Sequence, residues 1–166
     1  MINEKIQQAF NEQINHEIGS AYIYLSMAAY FYSQNLEGMA NWMKVQAKEE
    51  MVHAMKFFTH IIDRDGKVVL GALEKPKTSW ATPVDAWKDA YKHEQFITGK
   101  IHSLVKLAAG ESDYASTPLL NWFEDEQIEE EQQTIRVVQL LEKIGTSGAG
   151  LVMLDKELGK REFKGG

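Results

Sequence analysis

Four long stretches of this chain place apolar residues at three- and four-residue steps, and each carries a polar interruption in line with its stripe. Glu17 falls between Ile14 and Ala21. Glu50 and His53 fall between Ala47 and Phe57. Glu94 falls between Ala90 and Ile97, and Gln127 and Glu130 fall between Phe123 and Thr134. The apolar stripe is the face that a helix buries, and a carboxylate within it is costly unless it is protonated or matched by a cation. A single case would fit a shifted stripe or an edge position. One case per helix requires a fold that gathers the four interruptions in one place.

The periodicity predicts a first helix over residues 3–33, on Ile6, Phe10, Ile14, Ala21, Leu25 and Ala28. A short turn is expected at 34–38. The second helix runs from Met39 to about Asp65, on Met43, Ala47, Ala54, Phe57 and Ile61, with Gly66 placed to end it. Residues 67–82 break the pattern and form an unusually long connection. Thr82-Pro83 opens a third helix in cap-then-proline order, and Gly110 closes it. Its stripe is Trp87, Ala90, Ile97, Ile101, Leu104 and Ala108. A fourth helix begins between Asp113 and Pro118 and reaches about Lys143, on Leu120, Phe123, Thr134, Val137, Val138 and Leu141. Beyond the break at Gly145, Gly148 and Gly150, the leucines Leu151, Leu154 and Leu158 suggest a short fifth helix. The expected fold is all-α: one domain over residues 1–166, an antiparallel four-helix bundle with a long crossover loop and a short C-terminal helix.

The interruptions also agree in depth. With the first turn centred near residue 35, Glu17 lies 18 residues before it and His53 lies 18 after it. With the second turn near residue 112, Glu94 and Glu130 are placed in the same way. Glu50 and Gln127 sit three residues nearer the turns, about 5 Å along the helix. The two hairpins repeat in register: Glu17 to Glu94, Glu49 to Glu126, Glu50 to Gln127 and His53 to Glu130 are each 77 positions.

Buried carboxylates at close range repel one another and lose hydration. A pair of metal ions bridged by a Glu resolves both problems. Oxygen ligands with one imidazole suit iron or manganese better than zinc. The i, i+3 spacing puts Glu50 and His53 on one helix face, although a Glu-x-x-His pair taken alone is common on helix surfaces. Cysteine is absent, which excludes thiolate metal sites and disulfides. A net charge of −6 disfavours nucleic acid and suits cations. No stretch is apolar for long enough to span a membrane, and the N-terminus has no basic-then-apolar signal, so the cytoplasm is expected.

The chain resembles the prokaryotic haem-free ferritins over nearly its whole length. The resemblance is carried by Asn15-His16-Glu17 with Tyr24, by Gln46-Ala47-Lys48-Glu49-Glu50-Met51-Val52-His53-Ala54, by Lys92-His93-Glu94, and by Asp125-Glu126-Gln127-Ile128-Glu129-Glu130-Glu131. A Glu with a Glu-x-x-His is a known ligand pattern of diiron bundles. The resemblance implies a first iron site of Glu17, Glu50 and His53. It implies a second of Glu50, Glu94 and Glu130 with Gln127 beside it, and a third of Glu49, Glu126, Glu129 and Glu130. Tyr24 matches a tyrosine next to the diiron site that takes part in electron transfer; a buried aromatic bonding a carboxylate is its plainer reading. The implied activity is a ferroxidase that oxidises Fe(II) with O₂ or H₂O₂ and stores hydrated ferric oxide inside a shell of twenty-four subunits. Such a shell would carry roughly −144 charges. The fifth helix would line its four-fold axis.

Two positions depart from relatives of this kind. Animal ferritins have acidic residues early in the fourth helix, whereas Ser116-Thr117-Pro118-Leu119-Leu120 has none. Iron would then enter elsewhere, or through a channel lined by Glu111 or Asp113. Met51 stands where haem-containing bacterioferritins place a haem ligand, yet they carry a second Glu-x-x-His where this chain has Gln127-x-x-Glu130. Interface packing is the simpler role for Met51, and haem is not expected. Rubrerythrin-type peroxidases have two Glu-x-x-His motifs and often a cysteine-bound iron. DNA-protecting mini-ferritins share ligands across a dimer and lack a fifth helix. A metal-free helical interaction module is the remaining alternative.

Overall fold

A computed structural model describes residues 1–165, and five α-helices account for most of them, with no strand among the described residues. Helix α1 spans Glu4–Ser33, α2 Glu37–Asp63, α3 Pro83–Gly110, α4 Thr117–Ile144 and α5 Gly148–Leu158. A single 3₁₀ turn, Tyr114–Ser116, leads into α4. Three of the starts have side-chain caps, that of α3 at the Thr82-Pro83 pair read from the sequence. Asn3 accepts a hydrogen bond from the Lys5 amide, Thr82 from Asp85 with Pro83 following, and Ser147 from Gly150.

The ends of α1, α2 and α3 share one device. Leu36 N–H donates to Phe31 O (3.0 Å), Gly66 to Ile61 O (2.9 Å) and Asp113 to Ala108 O (2.8 Å). Between each pair stands a non-glycine residue in the left-handed region: Asn35, Asp65 and Ser112. These are Schellman closures, which satisfy the last helical carbonyls and turn the chain sharply. Gly66 therefore follows the left-handed residue that ends α2; the helix itself stops at Asp63. The second helix also begins at Glu37, two residues before the expected Met39.

The stripes point inward as expected, with one correction. Leu25 is 50% exposed, and its neighbour Tyr24 takes the core position at 0%. The step from Ala21 to Ala28 is a full two turns, and Tyr24 lies on that face where Leu25 is rotated off it. The apolar interior forms two clusters. One surrounds Phe31, Met43 and Trp87; the other surrounds Phe10, Phe57 and Phe123. The polar interruptions lie between them.

The long connection runs beside α1. Gln7, Asn11 and Asn15 share one face of α1 at four-residue steps. Asn11 accepts from Val69 N–H (2.8 Å) and donates to Lys67 O (2.9 Å), and Asn15 holds Gly71 and Ala72 in the same way. Ser26 then donates to Lys77 O, and Trp80 packs against Tyr30. The segment thus spans the bundle lengthwise and delivers the chain to the start of α3, so α2 and α3 run the same way while the short turns make α1–α2 and α3–α4 antiparallel hairpins.

Candidate metal centre

Mid-bundle, α1 to α4 turn six polar side chains into the gap between the two apolar clusters. Glu17, Glu50, His53, Glu94, Gln127 and Glu130 are all at most 3% exposed. The first hairpin supplies Glu17, Glu50 and His53. His53 Nδ1 lies 3.4 Å from Glu50 Oε2 and 3.9 Å from Glu17 Oε2. The ring is fixed by edge contacts with Trp122 and Phe123. The second hairpin supplies Glu94, Gln127 and Glu130. Gln127 Nε2 donates to Glu94 Oε2 (3.2 Å) and Thr98 Oγ1 (3.3 Å), and the Tyr24 hydroxyl donates to the other oxygen of Glu94.

Two glutamines that the sequence analysis did not single out as site residues organise these side chains. Gln46 Nε2 donates to Glu50 Oε1 at 2.8 Å and to Glu130 Oε2 at 2.9 Å, joining the two halves. Gln13 Nε2 donates to Glu17 Oε1 at 2.7 Å. Each stands four residues before its glutamate, so the amide lies one turn below the carboxylate on the same face. That spacing, Gln-x-x-x-Glu on two buried stripes, was the available signal.

The charges do not balance without cations. Burial, then the Glu50 charge, pushes the Glu17 carboxyl well up, and the same two causes raise Glu94 to about 8. Glu130 is pushed well up by burial and by Glu94. Burial, the largest influence, would raise Glu50 too, but the His53 charge together with polar contacts from His53, Gln46 and Glu17 brings Glu50 below its usual range. Burial would lower His53, and Glu50 with Glu126 and Glu17 reverses that. Without metal, then, burial favours protonated carboxyls at Glu17, Glu94 and Glu130, and the surrounding carboxylates favour a charged His53. Two candidate donor atoms, Glu17 Oε2 and His53 Nδ1, are buried and make no hydrogen bond, and their contact with each other and with Glu50 Oε2 is electrostatic alone, at 3.9 Å and 3.4 Å from the imidazole nitrogen. Buried polar atoms are rarely left so. Both face the same small space as Glu50 Oε2, and ligand atoms of Glu17, Glu50 and His53 lie within 4.8 Å of one another. The donor set fits a hard dication.

The residues expected at a third position are gathered less tightly. Glu126 Oε1 lies 3.6 Å from His53 Nε2, and a second possible metal group joins His53, Glu126 and Glu130. Glu129 is exposed. Glu49 is half-buried and accepts from Arg161. At the far end of the bundle, Glu111 pairs with Lys5 (2.7 Å) and Asp113 is clasped by Arg64 and Ser116. Both carboxylates proposed as channel linings are thus engaged within the subunit. Met51 is 42% exposed on α2. No described helix is long and apolar enough to cross a membrane.

Comparison with known proteins agrees with this geometry. The family model described as ferritin-like domain matches residues 7–144. A bacterial non-heme ferritin of Staphylococcus aureus (strain USA300) is 37% identical over 163 residues, covering 98% of each chain. A solved structure of an engineered closed form of the Archaeoglobus fulgidus ferritin superposes with a TM-score of 0.97 at 47% identity, covering 98% of this chain and 99% of that one. An open pore ferritin from the same archaeon superposes with a TM-score of 0.96 at 46% identity, covering 98% and 100%.

Proposed function

This chain belongs to the ferritin family, and on that premise we propose that it stores iron and oxidises Fe(II) at a two-iron centre inside each subunit. The observation that carries the reading is the pair of buried, unpartnered ligand atoms, Glu17 Oε2 and His53 Nδ1, that flank Glu50 Oε2. Glu17, Glu50 and His53 hold one iron. Glu50, Glu94 and Glu130 hold the other, and Gln127 orients Glu94. Four carboxylates balance two dications, so metal takes over the neutralising role that burial otherwise gives to protons, and His53 binds as neutral imidazole.

Iron is the substrate here. Each Fe(II) gives up one electron, and O₂ or H₂O₂ takes the pair. Tyr24 sits against Glu94 and stands ready as an electron donor at the centre. Ferric ion then leaves by way of Glu126, Glu129, Glu130 and Glu49 toward the interior of a twenty-four-subunit shell, where it mineralises. The whole chain acts as one diiron domain in the cytoplasm, with its own copies as partners. Haem has no part in this reading: Gln127-x-x-Glu130 offers no second imidazole, and Met51 serves subunit packing.

The test is aerobic addition of Fe(II) to purified protein, following ferric absorbance while sizing the particle. Rapid oxidation by a large shell is expected, with Glu130→Ala losing most of the fast phase. Oxidation no faster than in buffer, in a protein of a few subunits, would sink the proposal.

A further inference from the structure

The function above leaves Arg161 unused. Beyond α5 the chain turns back along α2, and the turn is held at several points. Asn41 Nδ2 donates to Gly159 O (3.3 Å) and to Arg161 O (3.0 Å). The guanidinium lies over the Trp42 indole, 4.1 Å from the ring centroid, and Nη1 reaches Trp42 O at 3.5 Å. Nη2 donates to Glu49 Oε2. Its side chain is 16% exposed and that of Glu49 is 23% exposed. Ordering a long side chain costs entropy, so an arginine held by stacking, a carbonyl and a carboxylate is unlike a free surface charge.

The guanidinium closes one side of a recess of about 420 Å³. Glu49, Glu126, Glu129 and Gln133 line it from the bundle, and Lys160, Arg161, Glu162 and Lys164 line it from the C-terminal segment. Glu126 connects it to the centre through His53, 3.6 Å away. A guanidinium keeps its charge at every physiological pH. It therefore supplies a permanent positive charge at an oxygen that a third iron needs.

We propose that Arg161 is a tethered cation that occupies the Glu49 side of the third iron position while iron is absent, and that iron binds there only by displacing it. The proposal rests on the third position named above. Two positive groups cannot share Glu49 Oε2 at contact distance without strong repulsion. The competition weakens the third position relative to the two behind it, and so favours passage of iron over its retention. The same displacement loosens the C-terminal segment on α2, because it removes one attachment and leaves the Asn41 hydrogen bonds.

The test is anaerobic calorimetric titration of the assembled protein with Fe(II), paired with hydrogen exchange of the segment 159–165. Two tight equivalents and one weaker equivalent per subunit are expected. Arg161→Gln should tighten the weaker one by about tenfold and leave the first two unchanged. Arg161→Lys keeps the charge and should stay near the parent. In the parent, exchange of 159–165 should rise with the third equivalent and not with the first two. An unchanged weak equivalent in Arg161→Gln, no third equivalent in either protein, or a segment indifferent to the third equivalent overturns the tethered-cation proposal while the two-iron reading stands. Fewer than two equivalents in the parent overturns both.

Discussion

Among the described residues, Gln46 alone hydrogen-bonds both halves of the centre, and its role follows from geometry. Its amide fixes one oxygen of Glu50 and one of Glu130, leaving the remaining oxygens free to face metal. Partners of this kind orient ligands and are worth about 10- to 100-fold in metal affinity. Gln46→Met keeps the volume and removes both donors. It should weaken binding of the two tight equivalents within that range, read by anaerobic titration, with the thermal midpoint little altered. Parental affinity would show that the amide is packing only. The six polar side chains gathered mid-bundle were legible in the sequence, because a polar group in an apolar stripe is conspicuous and the 77-residue register repeats it. Gln46 and Gln13 went unread, because glutamine is unremarkable in a helix and only its place four residues before a buried Glu marks it. The pairing of Glu49 with Arg161 was hidden for a simpler reason: 112 residues separate them.

Helix α5 is anchored by a contact that no periodicity signals. The Asp155 carboxylate accepts from Gly38 N–H (3.1 Å) and Met39 N–H (2.8 Å), capping α2 from another element. A Cβ on Gly38 would stand 1.7 Å from the Asp155 carbonyl oxygen, which is backbone and cannot swing aside. Gly38→Ala should therefore cost about 2 kcal/mol or more and release α5, read as a lowered thermal midpoint and fast hydrogen exchange over 148–158. Gly99→Ala is the control: it is helical and exposed with nothing within 4 Å, and should stabilise by about 1 kcal/mol. At the opposite end, Arg64 ties α2 to the turn before α4 through Asp113, 2.9 Å from Nη1 to Oδ2. Hydrogen bonds from Arg64 hold the Asp113 carboxyl below its usual range. A depressed carboxylate contributes stability above its unfolded pKa, near 3.9, and loses it as pH falls through the folded value. Asp113→Asn should cost about 2 kcal/mol at pH ~7. The gap from the parent should close below pH ~4; an equal gap in acid would remove the ion pair as its cause. The four long helices and the crossover were readable from stripes and prolines. Their exact ends were not, since Asn35, Asp65 and Ser112 adopt left-handed backbone without glycine.

At the scale of the whole molecule, one chain's interior says little about assembly, because a shell is made by surfaces that periodicity leaves unassigned. The physical trace is apolar exposure. On α5, Leu154 is buried while Val152 and Met153 are 52% and 73% exposed. On α2, Met51 and Met55 are 42% and 48% exposed. Exposed apolar groups on two separate elements fit a subunit that buries them against copies of itself. The fifth helix was foreseen from three leucines, yet only its inward side was thereby explained; the outward side acquires a role if it meets symmetry mates. Met153→Glu separates the alternatives. In an isolated subunit, a charge at a 73% exposed position changes stability by less than about 0.5 kcal/mol. At a symmetry axis, several glutamates would converge in an apolar contact, where each desolvated charge repels the next. Native mass spectrometry should then find smaller oligomers in place of the parental shell. Each should still take up two tight metal equivalents per subunit, since the centre draws every ligand from one chain. A full-sized shell from Met153→Glu would place α5 away from the axis. Smaller oligomers with no metal uptake would mean that the centre depends on assembly.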